Sequence, residues 1–113
     1  MNEHKKIGFA VVGCGHIGKR HIAEIKANPN ALLLAVCDIK NKNEFEDFGV
    51  SFFGSLDELL SSNINTDVIN ICTPNGLHTT QSLQALNHCN VLVEKPIALS
   101  VDDANSLIQK EKE

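Results

Sequence analysis

Ile7-Gly8-Phe9-Ala10-Val11-Val12-Gly13-Cys14-Gly15-His16-Ile17-Gly18 decides how this chain folds. An uninterrupted apolar run ends in three glycines at G-x-G-x-x-G spacing. Lys19-Arg20-His21-Ile22-Ala23-Glu24-Ile25 follows, with Ile22 and Ile25 on one helical face. A strand, a tight glycine turn and a helix in this order is the setting in which the motif signifies dinucleotide binding. Gly13 allows the turn, Gly15 lets the backbone approach a pyrophosphate, and Gly18 lets the helix lie close on the strand. The backbone N–H groups of His16 and Ile17 open the helix, where unpaired amides and a partial positive charge suit phosphate.

Three glycines at this spacing arise by chance in roughly 4% of chains of this length, taking the usual glycine frequency, so a second element has to support the first. Leu32-Leu33-Leu34-Ala35-Val36-Cys37 is another apolar run, and it ends in Asp38, 20 residues beyond Gly18. A carboxylate at the tip of the second strand accepts hydrogen bonds from the adenosine ribose of NAD. NADP would better suit a small residue there with an arginine nearby. Lys40 and Lys42 leave dual use open, but the carboxylate repels a 2′-phosphate, so NAD is the expected cofactor.

Continuing outward, the pattern predicts strand 7–12, helix 16–27, strand 32–37, a short helix near 42–48, strand 50–53, helix 56–61, strand 68–72, helix 77–88, strand 91–94 and helix 101–111. Pro29 and its flanking asparagines end the first helix. Ser55-Leu56-Asp57-Glu58 is a capping box, and Ser100 caps the last helix. Strands apolar at consecutive positions and alternating with helices imply a doubly wound parallel sheet of Rossmann type, covered on both faces. Residues 1–113 read as one dinucleotide-binding domain. The chain ends in the helix after strand five, before a sixth strand, so it reads as the N-terminal part of a longer enzyme with an uncovered strand edge. Only 11 residues separate Asp38 from Val50, which leaves the second helix barely two turns.

Composition removes other classes. The chain carries 14 acidic against 10 basic residues, no basic stripe, and no Trp or Tyr to stack on bases, which argues against nucleic-acid binding. No apolar run approaches the ~20 residues of a membrane span. Lys5-Lys6 before an apolar stretch ending at Cys14 superficially resembles a lipoprotein leader. Its apolar core is six residues, below the ~7–15 of a secretory segment. Cys14, Cys37, Cys72 and Cys89 form no C-x-x-C pair, and Cys37 and Cys72 fall in expected buried strands as small hydrophobes. The five histidines lack metal-ligand spacing. A cytoplasmic protein without a metal is expected.

In a doubly wound sheet, ligands sit beyond the carboxyl ends of the strands where the strand order reverses. After strand one come the glycines, after strand four Thr73-Pro74-Asn75-Gly76-Leu77-His78, and after strand five Glu94-Lys95-Pro96. These three loops outline one crevice.

Together G-C-G-H-I-G, C-D, C-T-P-N-G-L-H and V-E-K-P resemble the nucleotide-binding domain of the Gfo/Idh/MocA oxidoreductases, over essentially the whole chain. Within that family the T-P-N-G-L-H stretch is most similar to dehydrogenases acting on the 3-hydroxyl of UDP-N-acetylglucosamine-type sugars. The resemblance implies a sugar or sugar-nucleotide substrate, a separate substrate domain and a homo-oligomer at full length. It implies that Lys95 is the catalytic lysine beside the substrate hydroxyl and nicotinamide. Desolvation and the positive charge of NAD⁺ lower a lysine pKa toward neutrality, which suits proton relay. Pro96 holds Lys95 in extended geometry.

The resemblance also places Asn75 and His78 near the nicotinamide half of the cofactor, though Asn75-Gly76 fits an ordinary turn equally well and His78 a first helical turn. Thr73 and Pro74 wall the pyrophosphate and adenosine side. Glu94 orients Lys95, faces substrate or makes a surface ion pair, and His21 packs behind the site. A stand-alone NAD sensor without catalysis is the alternative function, and Lys95 distinguishes the two because a sensor has no use for an aimed lysine. A purely structural domain predicts no NAD binding at all.

Overall fold

The computed structural model describes residues 6–38, 50–93 and 101–112. In chain order its elements are β1 (Ile7–Val12), α1 (His16–Ala27), β2 (Ala31–Cys37), β3 (Ser51–Phe53), α2 (Leu56–Ser61), β4 (Val68–Ile71), a 3₁₀ turn (Asn75–Leu77), α3 (His78–Leu86), β5 (Asn90–Val93) and α4 (Val101–Lys112). The short helix expected near 42–48 and the Ser100 cap lie outside the described residues.

The strands form one parallel sheet in the order β3-β2-β1-β4-β5. This is the doubly wound arrangement the apolar runs imply, because each inner strand is covered on both faces. Ala10 and Val12 join Ala35, Cys37, Ile69 and Ile71 against Leu56 and Leu59 of α2 and Ala85 of α3. The alternate residues, Val11, Leu33 and Val36, pack with Ile22 and Ile25 of α1 and with Cys14. Consecutive strand residues thus serve opposite cores, which is why the runs contain no polar alternation.

Several boundaries differ from the sequence reading. The strand expected over 68–72 stops at Ile71, so Cys72 lies past its end and is only half-buried, not a strand core residue. The helix expected over 77–88 starts at His78 after the 3₁₀ turn, which Pro74 opens by accepting from Leu77 N–H at 2.9 Å. It ends at Leu86, and past that end the Ala85 carbonyl accepts from both His88 and Cys89 N–H (2.9 and 3.1 Å), the first a 3₁₀-type bond that tightens the last turn. The Ser55 cap forms as expected, its hydroxyl accepting Glu58 N–H at 3.2 Å. Glu58, however, reaches back to Gly54 N–H (3.1 Å) and not to Ser55 N–H.

Candidate functional site

Sheet register brings the strand ends to one edge. Val12 pairs with Cys37 on one side and Ile71 on the other, Cys37 with Phe53, and Ile71 with Val93. The segments leaving these residues therefore emerge together, with the order reversing between β1 and β4.

At this edge Gly13 has φ +89, and a Cβ there would lie 2.8 Å from the Cys72 carbonyl group and from Thr73 Cγ2. Both the turn and the crowding require glycine. A Cβ on Gly18 would lie 1.9 Å from the Gly13 carbonyl oxygen, so α1 rests directly on the turn. Gly15 is different, because among the described residues nothing but its own chain neighbours lies within 4 Å of where its Cβ would stand. The first helical bond of α1 runs from Lys19 N–H to Gly15 C=O at 2.9 Å, which leaves the N–H groups of His16, Ile17 and Gly18 without helical acceptors. No side chain caps this end and no acid occupies the first turn. Open amides, open space and an uncompensated dipole make an anion site.

Asp38 stands just past β2. Its Oδ2 accepts Cys14 N–H at 2.6 Å, while its own N–H donates to Phe53 C=O at 3.0 Å. The carboxylate thus braces the glycine loop and faces a crevice of about 530 Å³. At one end the crevice is bounded by Cys37, Asp38, Gly54, Ser55 and Leu56. Gly13, Gly15, His16 and Ile17 line its middle, and Cys72, Thr73, Pro74, Leu77 and Gln81 its far end, so Thr73 and Pro74 stand across β1 from Asp38 and not on the adenosine side expected of them, because they follow β4.

The far end is held by α3. His78 is 1% exposed, and its Nε2–H donates to the Thr73 carbonyl at 2.7 Å. Thr73 Oγ1 donates to Gln81 Oε1 at 2.5 Å. The His78 imidazole is therefore turned into the fold behind Thr73. Asn75 lies in the 3₁₀ turn at this end of the crevice. Half-buried His21 packs against β4, its Nδ1 accepting from Asn70 Nδ2 at 3.0 Å. Glu94, Lys95 and Pro96 fall outside the described residues. Sequence reasoning overlooked Gly54 and Leu56, although the end of β3 marks them, and read Ser55 only as a cap. It also missed Gln81, whose i, i+4 spacing from Leu77 of the crevice loop puts the two on one face of the helix start.

All four cysteines are free. Burial, and next the Asp38 charge, pushes the Cys14 thiol up to about 12. Burial followed by Cys14 does the same for Cys37. These thiols are inert packing groups at neutral pH. Among the described residues, no three His, Cys, Asp or Glu side chains are placed to hold a metal, and no helix is long and apolar enough to cross a membrane. The elongated crevice, with a carboxylate at one end and a glycine-lined amide cluster in the middle, fits a dinucleotide. The carboxylate suits ribose hydroxyls and the amides suit pyrophosphate.

Comparison with known proteins agrees. Residues 7–113 match the sequence model of the Gfo/Idh/MocA family, described as "Oxidoreductase family, NAD-binding Rossmann fold". Glucose-6-phosphate 3-dehydrogenase of Bacillus subtilis is 35% identical over 105 residues, covering 89% of this chain and 29% of that enzyme. The 2,7-anhydro-N-acetylneuraminate hydratase of Mediterraneibacter gnavus is 33% identical over 107 residues, covering 93% of this chain and 28% of that protein. The crystal structure of the WlbA dehydrogenase from Chromobacterium violaceum, in complex with NADH and UDP-GlcNAcA, superimposes with a TM-score of 0.88 at 34% identity. The match covers 96% of this chain and 32% of that one. The chain thus spans less than a third of the length of these relatives. With the fold, the glycine loop and these matches in agreement, the chain belongs to the Gfo/Idh/MocA oxidoreductase family, whose NAD-binding Rossmann domain it carries.

Proposed function

We propose that this chain is the cofactor-binding part of an oxidoreductase that takes hydride from a hydroxyl of a sugar or sugar nucleotide. The observation that carries the proposal is the common edge of the strand ends, where the anion site after β1 and the brace after β2 lie together and β5 ends at Val93. Lys95 follows two residues later. Bound NAD supplies the hydride acceptor. The protein's own residues do the rest. Amides of the glycine loop hold phosphate, Asp38 accepts from the adenosine ribose, and Thr73 and Pro74 wall the crevice. Asn75 holds the nicotinamide side, while His78 acts on it through the Thr73 carbonyl. Lys95 removes the substrate hydroxyl proton, with Glu94 orienting it. The sugar class is supported by relatives named for glucose 6-phosphate oxidation and solved with a UDP-sugar.

In the complete protein, Lys95→Ala should lower turnover by about 100-fold or more while leaving NAD affinity within about threefold. Retained turnover would refute the assignment of Lys95, and the absence of any dehydrogenation by the parent protein would favour a sensor. The hydratase relative supports a second reading, in which the same domain serves a net hydration of a sugar derivative. Product analysis separates the two, since only the dehydrogenase accumulates NADH in proportion to substrate consumed. The 113-residue chain by itself should bind NAD weakly and turn over no sugar.

A further inference from the structure

One polar side chain in the crevice has no part in the assignments above. Gln81 lies one turn into α3 and lines the far end of the crevice together with Leu77. Its Oε1 is engaged by the Thr73 hydroxyl at 2.5 Å. An amide whose oxygen is held in this way turns its Nε2 group outward, and neither Nε2–H has a protein acceptor among the described residues. Thr73 is itself immobile. Its carbonyl is held by His78, and its Cγ2 approaches the Gly13 backbone so closely that a Cβ there would lie 2.8 Å from it. The chain Gly13–Thr73–Gln81 therefore fixes two free donors relative to the glycine loop, with the side-chain entropy of the glutamine already spent.

Strand order says which part of a dinucleotide meets them. The adenosine end lies over β2 and β3, by Asp38 and Gly54, and the pyrophosphate lies at the start of α1, over β1. Gln81 stands on the opposite side, past β4. We propose that Gln81 binds the cofactor directly, donating its amide to a phosphate or ribose oxygen of the nucleotide half that lies beyond the pyrophosphate. This inference rests on the dinucleotide-binding reading of the crevice and adds a residue to it.

The test compares NAD, ADP-ribose and AMP as ligands of the chain by NMR titration and calorimetry. Gln81→Glu keeps an oxygen for the Thr73 hydroxyl but replaces both donors with a carboxylate oxygen. It should raise the Kd for NAD and ADP-ribose about tenfold or more, while AMP, which stops short of Gln81, binds within about twofold of the parent. In the unmodified protein, the Gln81 side-chain amide resonances should shift with ADP-ribose and stay still with AMP, a readout independent of whether the variant folds. Parental affinity for NAD in Gln81→Glu, or amide resonances indifferent to ADP-ribose, would overturn the assignment of Gln81 alone. Failure of the parent to bind NAD at all would overturn it together with the dinucleotide reading.

Discussion

Gly15 and Gly18 belong to one motif, yet the structure predicts opposite consequences when each becomes alanine. At Gly18 the added methyl carbon would stand 1.9 Å from the Gly13 carbonyl oxygen, about 1.5 Å short of ordinary contact at 3.4 Å. Neither partner yields easily. The Gly13 N–H is bonded to Cys37 C=O at 2.7 Å, and Gly18 is buried in the first turn of α1. Overpacking of this kind costs about 1–3 kcal/mol, and contact with backbone places it toward the upper end. For a domain of this size that lowers Tm by about 10 °C or more.

At Gly15 nothing lies within 4 Å and φ is −73, which any L-residue adopts. The fold should be unchanged within about 0.5 kcal/mol. The methyl would instead occupy the space through which phosphate reaches the α1 amides. Losing one such charge-assisted bond costs about 1.5–3 kcal/mol, a Kd increase of roughly 10- to 100-fold. Thermal unfolding and NAD calorimetry on both variants separate the effects. Parental melting of Gly18→Ala, or parental NAD affinity of Gly15→Ala, would refute the division of roles.

Three other perturbations follow from the same geometry. Asp38→Ala removes the acceptor of Cys14 N–H and should lower stability by about 1.5–3 kcal/mol in urea unfolding. Asp38→Asn retains an oxygen there and should lose less than about 1 kcal/mol while still weakening NAD roughly tenfold, and equal stability losses would contradict the brace. Ser55→Ala should cost about 1 kcal/mol by freeing Glu58 N–H, and an unchanged urea midpoint would count against the cap. The raised Cys14 and Cys37 thiols hold their protons more tightly folded than unfolded. Their stabilising effect is complete below the unfolded thiol pKa and is lost as pH climbs from about 9 toward 12, at up to about 2–3 kcal/mol per pH unit for the pair. Urea midpoints at pH 8, 9 and 10 should fall more steeply in the parent than in a Cys14→Ala/Cys37→Ala variant, and parallel slopes would dismiss the effect.

Much of this architecture is legible in the sequence because its signals are local. The apolar runs that became β1 and β2, the isoleucines of α1 and the Ser55 cap each declare themselves within a dozen residues. Gly13 and Gly18 could be assigned turn and packing roles because the positive-φ turn at Gly13 and the approach of Gly18 to the Gly13 carbonyl both lie within the motif. What escaped the sequence depends on contacts across the sheet. Asp38 meets Cys14 N–H only because β1 and β2 pair with Val12 opposite Cys37. Periodicity extended α3 to residue 88, whereas the helix stops two residues earlier, its last turn tightened by the bond from His88 N–H to Ala85 C=O. His78 could be placed near the cofactor by resemblance, but whether its ring faced the crevice or the core depended on a bond to Thr73 C=O that no spacing rule predicts.

The polar groups of the crevice therefore serve the fold and the ligand together, and this constrains how cofactor preference can change. On the proposed reading Asp38 repels a 2′-phosphate, so replacing it is the obvious route toward NADP. Its carboxylate also anchors the glycine loop, whose amides on the same reading hold the pyrophosphate of either cofactor. A replacement without an acceptor for Cys14 N–H gains tolerance of the extra phosphate and loses the phosphate site it needs. Only side chains that still accept from that amide, such as asparagine or serine, separate the two effects, and an arginine alone does not. The same coupling runs in reverse. Ligand bound to the braced loop stabilises the folded chain by mass action, about 2.7 kcal/mol at a hundredfold excess over Kd. Loss of that ligand-induced rise in Tm in Asp38→Ala, with about half of it kept in Asp38→Asn, identifies the loop and not the ribose contact as the element on which binding first depends.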